Sequence, residues 1–373
     1  MPAGMSASRD YAMTTETEPK PGDISPHGLD DDESPDDTSG GWGWWLVFTL
    51  GLAALMVGSL TVGRYALGPG ELFKSLVAVF IPGVKAHLTL IDKVVLDQIR
   101  LPRVLAAVMV GAAMSGSGAA LQSMFQNPLV SPDILGVSAG AGVGASLGLF
   151  FSLSFGEVQL LAFAGGIVAV TVTATMARMM GRGSTVVLVL SGIVVGAMAQ
   201  AIISLTQYFA NPTTTLPRIV FFLLGSLDSV TMSTLWLPAI LVVISIVALY
   251  LIRWPITVLA AGEDEARSLG IHRQVVWAIV IVATTLMTSA VVSVAGIVGW
   301  VGLVVPHLAR YIVGPTFQKL LPASLLLGAF FLLAVDDLGR SVSSVELPLG
   351  VLTALIGAPF FVAIVTKTRR QWH

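Results

Sequence analysis

Cysteine is absent from this chain of 373 residues. That excludes a disulfide framework, a thiolate nucleophile and any Cys-based metal site. Charge is scarce as well: Asp, Glu, Lys and Arg make up 11% of the residues, where a soluble domain carries about 25%. So few charges cannot cover a water-facing surface. With 55% hydrophobic residues and a mean hydropathy of +0.85, the chain reads as a multi-span membrane protein. No Gly-x4-Gly-Lys-Ser/Thr phosphate loop occurs, so any ATP used on its behalf is bound by another polypeptide. No pair of His, Asp and Glu residues sits mid-span as a proton relay requires. No nucleophile–base pair or metal cluster falls on facing spans, which argues against an intramembrane enzyme.

The charges that are present are unevenly placed. Residues 1–40 hold ten acids against Arg9 and Lys20, a formal charge of −8, and the remainder carries +6, which restores the total of −2. Residues 1–42, rich in acid, Pro, Ser and Gly, read as a disordered tail. They lack the basic, apolar and small-residue order of a signal peptide. Residues 43–373 form the membrane domain.

Runs of about 20 apolar residues can cross a bilayer, and ten are expected, over 43–62, 102–125, 134–152, 160–180, 186–208, 235–251, 275–295, 299–313, 323–338 and 348–366. The eighth is short and contains Pro306. Residues 217–227 are apolar but too short to cross, which suggests a re-entrant or interfacial helix. The basic C-terminal Lys367, Arg369 and Arg370 favour a cytoplasmic end. Ten spans then place the N-terminus and residues 253–273 on the same side. The loop 63–101, with Arg64, Lys74, Lys85, Lys93 and Arg100, fits that rule poorly.

The most polar interruption is Arg253–Arg273, RWPITVLAAGEDEARSLGIHR, with six charges in 21 residues. It must sit in water, and it reads as two short helical pieces joined at Gly262, where glycine suits a helix break. Glu263 and Arg267 then share a face at four-residue spacing. This is a handle for another protein. A second notable site is Arg100-Leu101-Pro102-Arg103. Pro102 suits a first helical turn, but two arginines there oppose the helix dipole and repel each other. Either an acidic partner or lipid headgroups reached by snorkelling would account for them. Glycines 136, 140, 144 and 148 form one stripe, expected to serve close helix packing. Asp336 and Asp337 are expected to be solvated at a helix end. His307 is expected to be a packed, hydrogen-bonded residue.

Several long runs together resemble one family. RLPRVLAAVMVGAAMSGSGAALQSMFQNPLVSPDILGVSAGAGVGASLG (100–148), GIVGWVGLVVPHLARYIVGPTFQKLLP (296–322), DDLGRSVSSVELPLGVLTALIGAP (336–359) and GEDEARSLGI (262–271) resemble the FecCD/BtuC-like permeases of type II ABC importers, which take up iron-siderophores, haem and cobalamin. The resemblance covers the chain from about residue 43. It implies an all-α fold of ten spans with inverted-repeat architecture, both termini cytoplasmic, in a bacterial inner membrane. It implies two ATP-binding cassette subunits, an external substrate-binding protein and a second permease subunit as partners, no cofactor or metal, and no nucleic acid.

The resemblance also assigns residues. Arg100, Arg103 and Arg340 would receive acidic residues of the binding protein. Gly262, Glu263, Asp264, Glu265, Ala266, Arg267, Leu269 and Gly270 would dock on the ATPase. Ser191, Gly192, Gln200, Thr353 and Gly357 would line the translocation path. A ferric siderophore is the expected cargo, with haem or cobalamin as alternatives. An ion-coupled secondary transporter is the rival reading from another class.

Overall fold

Lipid offers no hydrogen-bond partner to a peptide group, so a chain this apolar must satisfy its backbone within each segment. The computed structural model describes residues 43–63, 65, 70, 89–180, 185–342 and 346–369, and among these there are helices and short connections but no strand. The acidic tail expected over residues 1–42 lies outside the described residues, as do Arg64, Lys74, Lys85, Arg182 and Arg370.

Each of the ten expected spans coincides with a helix. They are α1 (Gly43–Ser59), α2 (Leu90–Met124), α3 (Val137–Phe150), α4 (Phe155–Met180), α5 (Thr185–Phe209), α7 (Met232–Leu251), α10 (Arg273–Ala295), α11 (Val301–Val313), α12 (Phe317–Ser341) and α13 (Leu349–Arg369). Six of them, α2, α4, α5, α7, α10 and α12, are long and apolar enough to cross a membrane unaided. The short apolar stretch near residue 220 is α6 (Thr215–Leu224), ten residues and too short to span. The polar interruption is two helices, α8 (Arg253–Ala261) and α9 (Glu263–Ser268).

Burial sorts the helices into layers. In the most apolar window of α2, 78% of residues are buried, against 28% in α7, so α2 is a central post and α7 a peripheral helix. The centre is α2 packed on α10 and α12, and α3 lies against α4. The expected glycine stripe is what brings α3 and α4 together: a β-carbon at Gly144 would lie 1.9 Å from the Leu161 carbonyl oxygen. The same device joins α2 to its neighbours, since a β-carbon at Gly118 would meet the Gly302 carbonyl at 1.8 Å. Without a hydrophobic force between helices in lipid, close backbone approach of this kind is the main source of cohesion.

One expectation about α2 is corrected. Arg100 and Arg103 do not begin a helix; α2 runs unbroken from Leu90, through a π-helical turn at Val95–Arg100. Pro102 explains the turn. An interior proline has no N–H to donate and its ring clashes with the carbonyl four residues back. The widened turn, in which Leu101 N–H reaches the Leu96 carbonyl, absorbs that clash. The dipole penalty expected for the two arginines therefore does not arise.

Three helix ends meet near Gly225. Its φ of 77° is natural only for glycine, and it turns the chain out of α6. Ser226 N–H then donates to the Ala295 carbonyl at 2.9 Å, and Leu349 N–H to the Gly225 carbonyl at 2.9 Å. The ends of α6 and α10 and the start of α13 are thus locked by backbone bonds, holding the 225–231 turn and the segment before α13 beside Arg103.

Candidate functional site

Two charged sites lie at opposite ends of α2. Arg103 to Met124 is 22 residues of helix, about 30 Å at 1.5 Å per residue, which matches the hydrocarbon thickness of a bilayer. The sites therefore belong to opposite membrane faces.

At the first end, the three arginines are neither free nor reaching into lipid. Arg100, Arg103 and Arg340 are 3%, 9% and 8% exposed, and each is bonded within the subunit. Arg103 donates through Nε to Asp336 Oδ2 at 3.1 Å and through Nη2 to Asp336 Oδ1 at 2.9 Å. Its Nη1 donates to Asp228 Oδ1 and to Glu346 Oε2, both at 2.9 Å. Arg340 sits on the other side of Asp336, with Nε 3.1 Å from Asp336 Oδ2. It also donates to Ser59 Oγ at 2.8 Å, to the Val62 carbonyl at 3.0 Å and to Asp337. Arg100 donates to the carbonyls of Leu60, at 2.5 Å, and Tyr65.

Asp336, expected to be solvated, is instead fully buried between two guanidinium groups. A lone buried carboxylate is very unfavourable, and it persists where opposite charge and several hydrogen bonds surround it. Asp228 and Glu346 lie on connections outside the spans, and both carboxyl groups meet Arg103 Nη1. Burial, and then the neighbouring Asp228 carboxyl, push Glu346 above the usual carboxylate range. Burial works against Asp228 too, but the Glu346 carboxyl and the Arg103 charge outweigh it and hold Asp228 below that range.

At the second end, α8 and α9 form the polar interruption. Glu263, Asp264 and Glu265 fill the first turn of α9, where carboxylates complement the helix dipole. The expected Glu263–Arg267 pair forms at 3.4 Å, and Glu263 also meets Arg273 at 3.1 Å. Both pairs are well exposed, so each stabilises by at most about 1 kcal/mol. Ala266 is buried, and Leu269, Asp264, Glu265 and Arg267 face outward. Gly270 needs to be glycine, since its φ of 73° closes α9 in the left-handed region. Gly262 does not need it on that ground: its φ of 172° is extended. Its lack of a side chain instead leaves room for the Glu265 carboxylate, which would lie 1.9 Å from a β-carbon there.

Gln126 ties this segment to α2. Its Nε2 donates to the carbonyls of Leu259 and Ala260 at 3.2 and 3.3 Å, two of the orphan acceptors at the end of α8. Its own φ is 49°, unusual for a non-glycine residue. Sequence reasoning missed Gln126, and no spacing or composition signal marks it. Beside it lies a cavity of about 320 Å³ lined in part by Phe125, Gln126, Gly262, Glu263, Arg273 and Trp277, with the Arg273 guanidinium 4.8 Å from the Trp277 ring centre.

The expected path residues divide. Ser191 and Gly192 are buried on the face of α5 that packs on residues 134–136, and a β-carbon at Gly192 would lie 1.9 Å from the Ile134 carbonyl. Thr353 is fully buried, and Gly357 packs on Trp300. Four of the five are thus buried within the subunit. Gln200 is exposed on another face of α5, with Ile193 and Ala197.

The comparisons with known proteins agree on one architecture. The profile of the FecCD transport family matches residues 51–367. A probable iron chelatin transport permease of Helicobacter pylori is 38% identical over 74% of this chain and 83% of its own length. The molybdate import permease MolB of Haemophilus influenzae is 36% identical over 86% of this chain and 95% of its own. A cobalamin import permease, BtuC, of Halobacterium salinarum is 36% identical over 73% of each. Among solved structures, an inward-facing ABC transporter of the metal-chelate type superposes with a TM-score of 0.76 at 34% identity, over 86% of this chain and 98% of the other.

Proposed function

This chain belongs to the FecCD transport family, the multi-pass permease subunits of type II ABC importers, and we propose that the cargo it passes inward is a ferric chelate of the siderophore type. The permease is a conduit rather than an enzyme. Permeases of this family work with ATPase and binding-protein partners. The observation that carries the cargo reading is the high likeness, over most of the chain, to an iron chelatin permease and to a metal-chelate transporter.

The mechanism is alternating access. A loaded binding protein docks at the end of α2 that carries Arg100, Arg103 and Arg340. ATP binding closes two ATPase subunits at the other end, and they push on residues 262–270. The bond from Gln126 to the end of α8 gives that push a direct line to α2. A second permease subunit completes the path, and Gln200 on the exposed face of α5 supplies one polar group to it. Both termini lie on the ATPase side.

The test is uptake into proteoliposomes that hold the permease with its ATPase and binding protein. Radiolabelled ferric chelate, molybdate and cobalamin are offered in turn. ATP-dependent accumulation of the ferric chelate alone supports the reading. Accumulation of molybdate or cobalamin instead reassigns the cargo, and uptake without ATP overturns the mechanism.

A further inference from the structure

We propose that Asp228 and Glu346 are built-in substitutes for the carboxylates of an acidic docking partner, holding the outward edge of Arg103 until a partner's acids displace them. This rests on the reading that the arginine cluster receives the binding protein.

The geometry leaves little else for that partner to grip. Arg340 is committed to Asp336, Asp337, Ser59 and the Val62 carbonyl. Arg100 is committed to two backbone carbonyls. The inner edge of Arg103, Nε and Nη2, is closed by the fully buried Asp336. Among the described residues, Nη1 of Arg103 meets the most exposed acids of the cluster, the side chains of Asp228, 55% exposed, and Glu346, 30% exposed, against 14% for Asp337.

Charge makes the same point. Three guanidinium groups here face Asp228, Asp336, Asp337 and Glu346, an excess of acid if all four are ionised. An additional carboxylate is repelled unless one of these leaves. Asp336 and Asp337 cannot leave, because they lie within α12. Asp228 and Glu346 can turn away, because their side chains reach solvent even though the backbone that carries them is held. Docking is therefore an exchange of ion pairs, and an acidic partner must outbid two internal acids. The exchange also makes the contact selective, since a partner with a single acid does not replace two.

Fluorescein-labelled hexaglutamate, titrated at low salt onto the permease in phosphatidylcholine nanodiscs, tests this by anisotropy. Asp228→Asn with Glu346→Gln is expected to bind about tenfold more tightly than the parent, the size of one freed charge-assisted hydrogen bond. Arg103→Gln added to that pair is expected to remove the gain. Glu346→Gln alone, expected to give a smaller gain of the same kind, serves if the double variant folds poorly. Equal, Arg103-dependent binding by parent and variant overturns the exchange but leaves the docking reading intact. A gain that survives Arg103→Gln is a general charge effect and also overturns the exchange. Binding that never depends on Arg103 removes the docking reading itself.

Discussion

Arg103 and Asp336, 233 positions apart in sequence, are joined by a two-nitrogen grip buried at one end of the helical bundle. Arg340 closes the other side of the same carboxylate. Removing Asp336 leaves two buried guanidinium groups without their shared partner, a loss of about 3–5 kcal/mol. Asp336→Asn is expected to lower the melting temperature of the purified permease sharply. Asp337→Asn is expected to cost less, because Asp337 is partly exposed. Equal melting temperatures for Asp336→Asn and parent would remove the clamp.

The glycine contacts predict a second contrast. Gly118→Ala drives a β-carbon into the Gly302 carbonyl, whereas the same change at Gly51 meets nothing within 4 Å. The first is expected to cost about 1–3 kcal/mol through overpacking, and the second to be neutral. Yield of monodisperse protein and its melting temperature in detergent read both.

The opposite shifts of Asp228 and Glu346 give a pH prediction. Glu346 titrates above the usual range, so its contribution to stability is present at low pH and is lost as pH rises through that raised value. Asp228 titrates below it, so its contribution is present above the ordinary carboxylate pKa and is lost on acidification. Glu346→Gln keeps a neutral group there and is expected to flatten the loss of stability on the alkaline side. Asp228→Asn is expected to return the Glu346 titration toward the ordinary range, followed by the carboxyl band in infrared difference spectra.

The spans were legible because lipid imposes a simple rule, about 20 apolar residues per crossing, and all ten runs coincide with helices. The short α6 and the divided segment at Gly262 were legible for the same reason, length in one case and polarity in the other. The arginine cluster was not. Its partners Asp228, Asp336 and Glu346 lie 125, 233 and 243 positions from Arg103, and no local pattern foretells such pairings. The π turn before Pro102 misled the same reading, since a proline opening a helix and one absorbed by a widened turn look alike in sequence. The path residues Ser191, Gly192, Thr353 and Gly357, named from a resemblance, lie on buried faces of their helices, and Gln200 lies on an exposed one. Gln200 against Gly192 checks those faces: Gln200→Ala is expected to leave the fold intact, while Gly192→Ala is expected to destabilise by about 1–3 kcal/mol, read by thermal melting.

The central claim is that work done on another chain enters through residues 262–270. Its most direct measurement is uptake and ATP hydrolysis, side by side, in proteoliposomes carrying Glu263→Lys with Glu265→Lys. Both side chains lie at the surface, and only modest exposed ion pairs are lost. The account predicts a folded permease with parental melting temperature in which ATP hydrolysis no longer drives uptake, at least about tenfold down as expected when a charged contact is reversed. Parental uptake per ATP hydrolysed would contradict it.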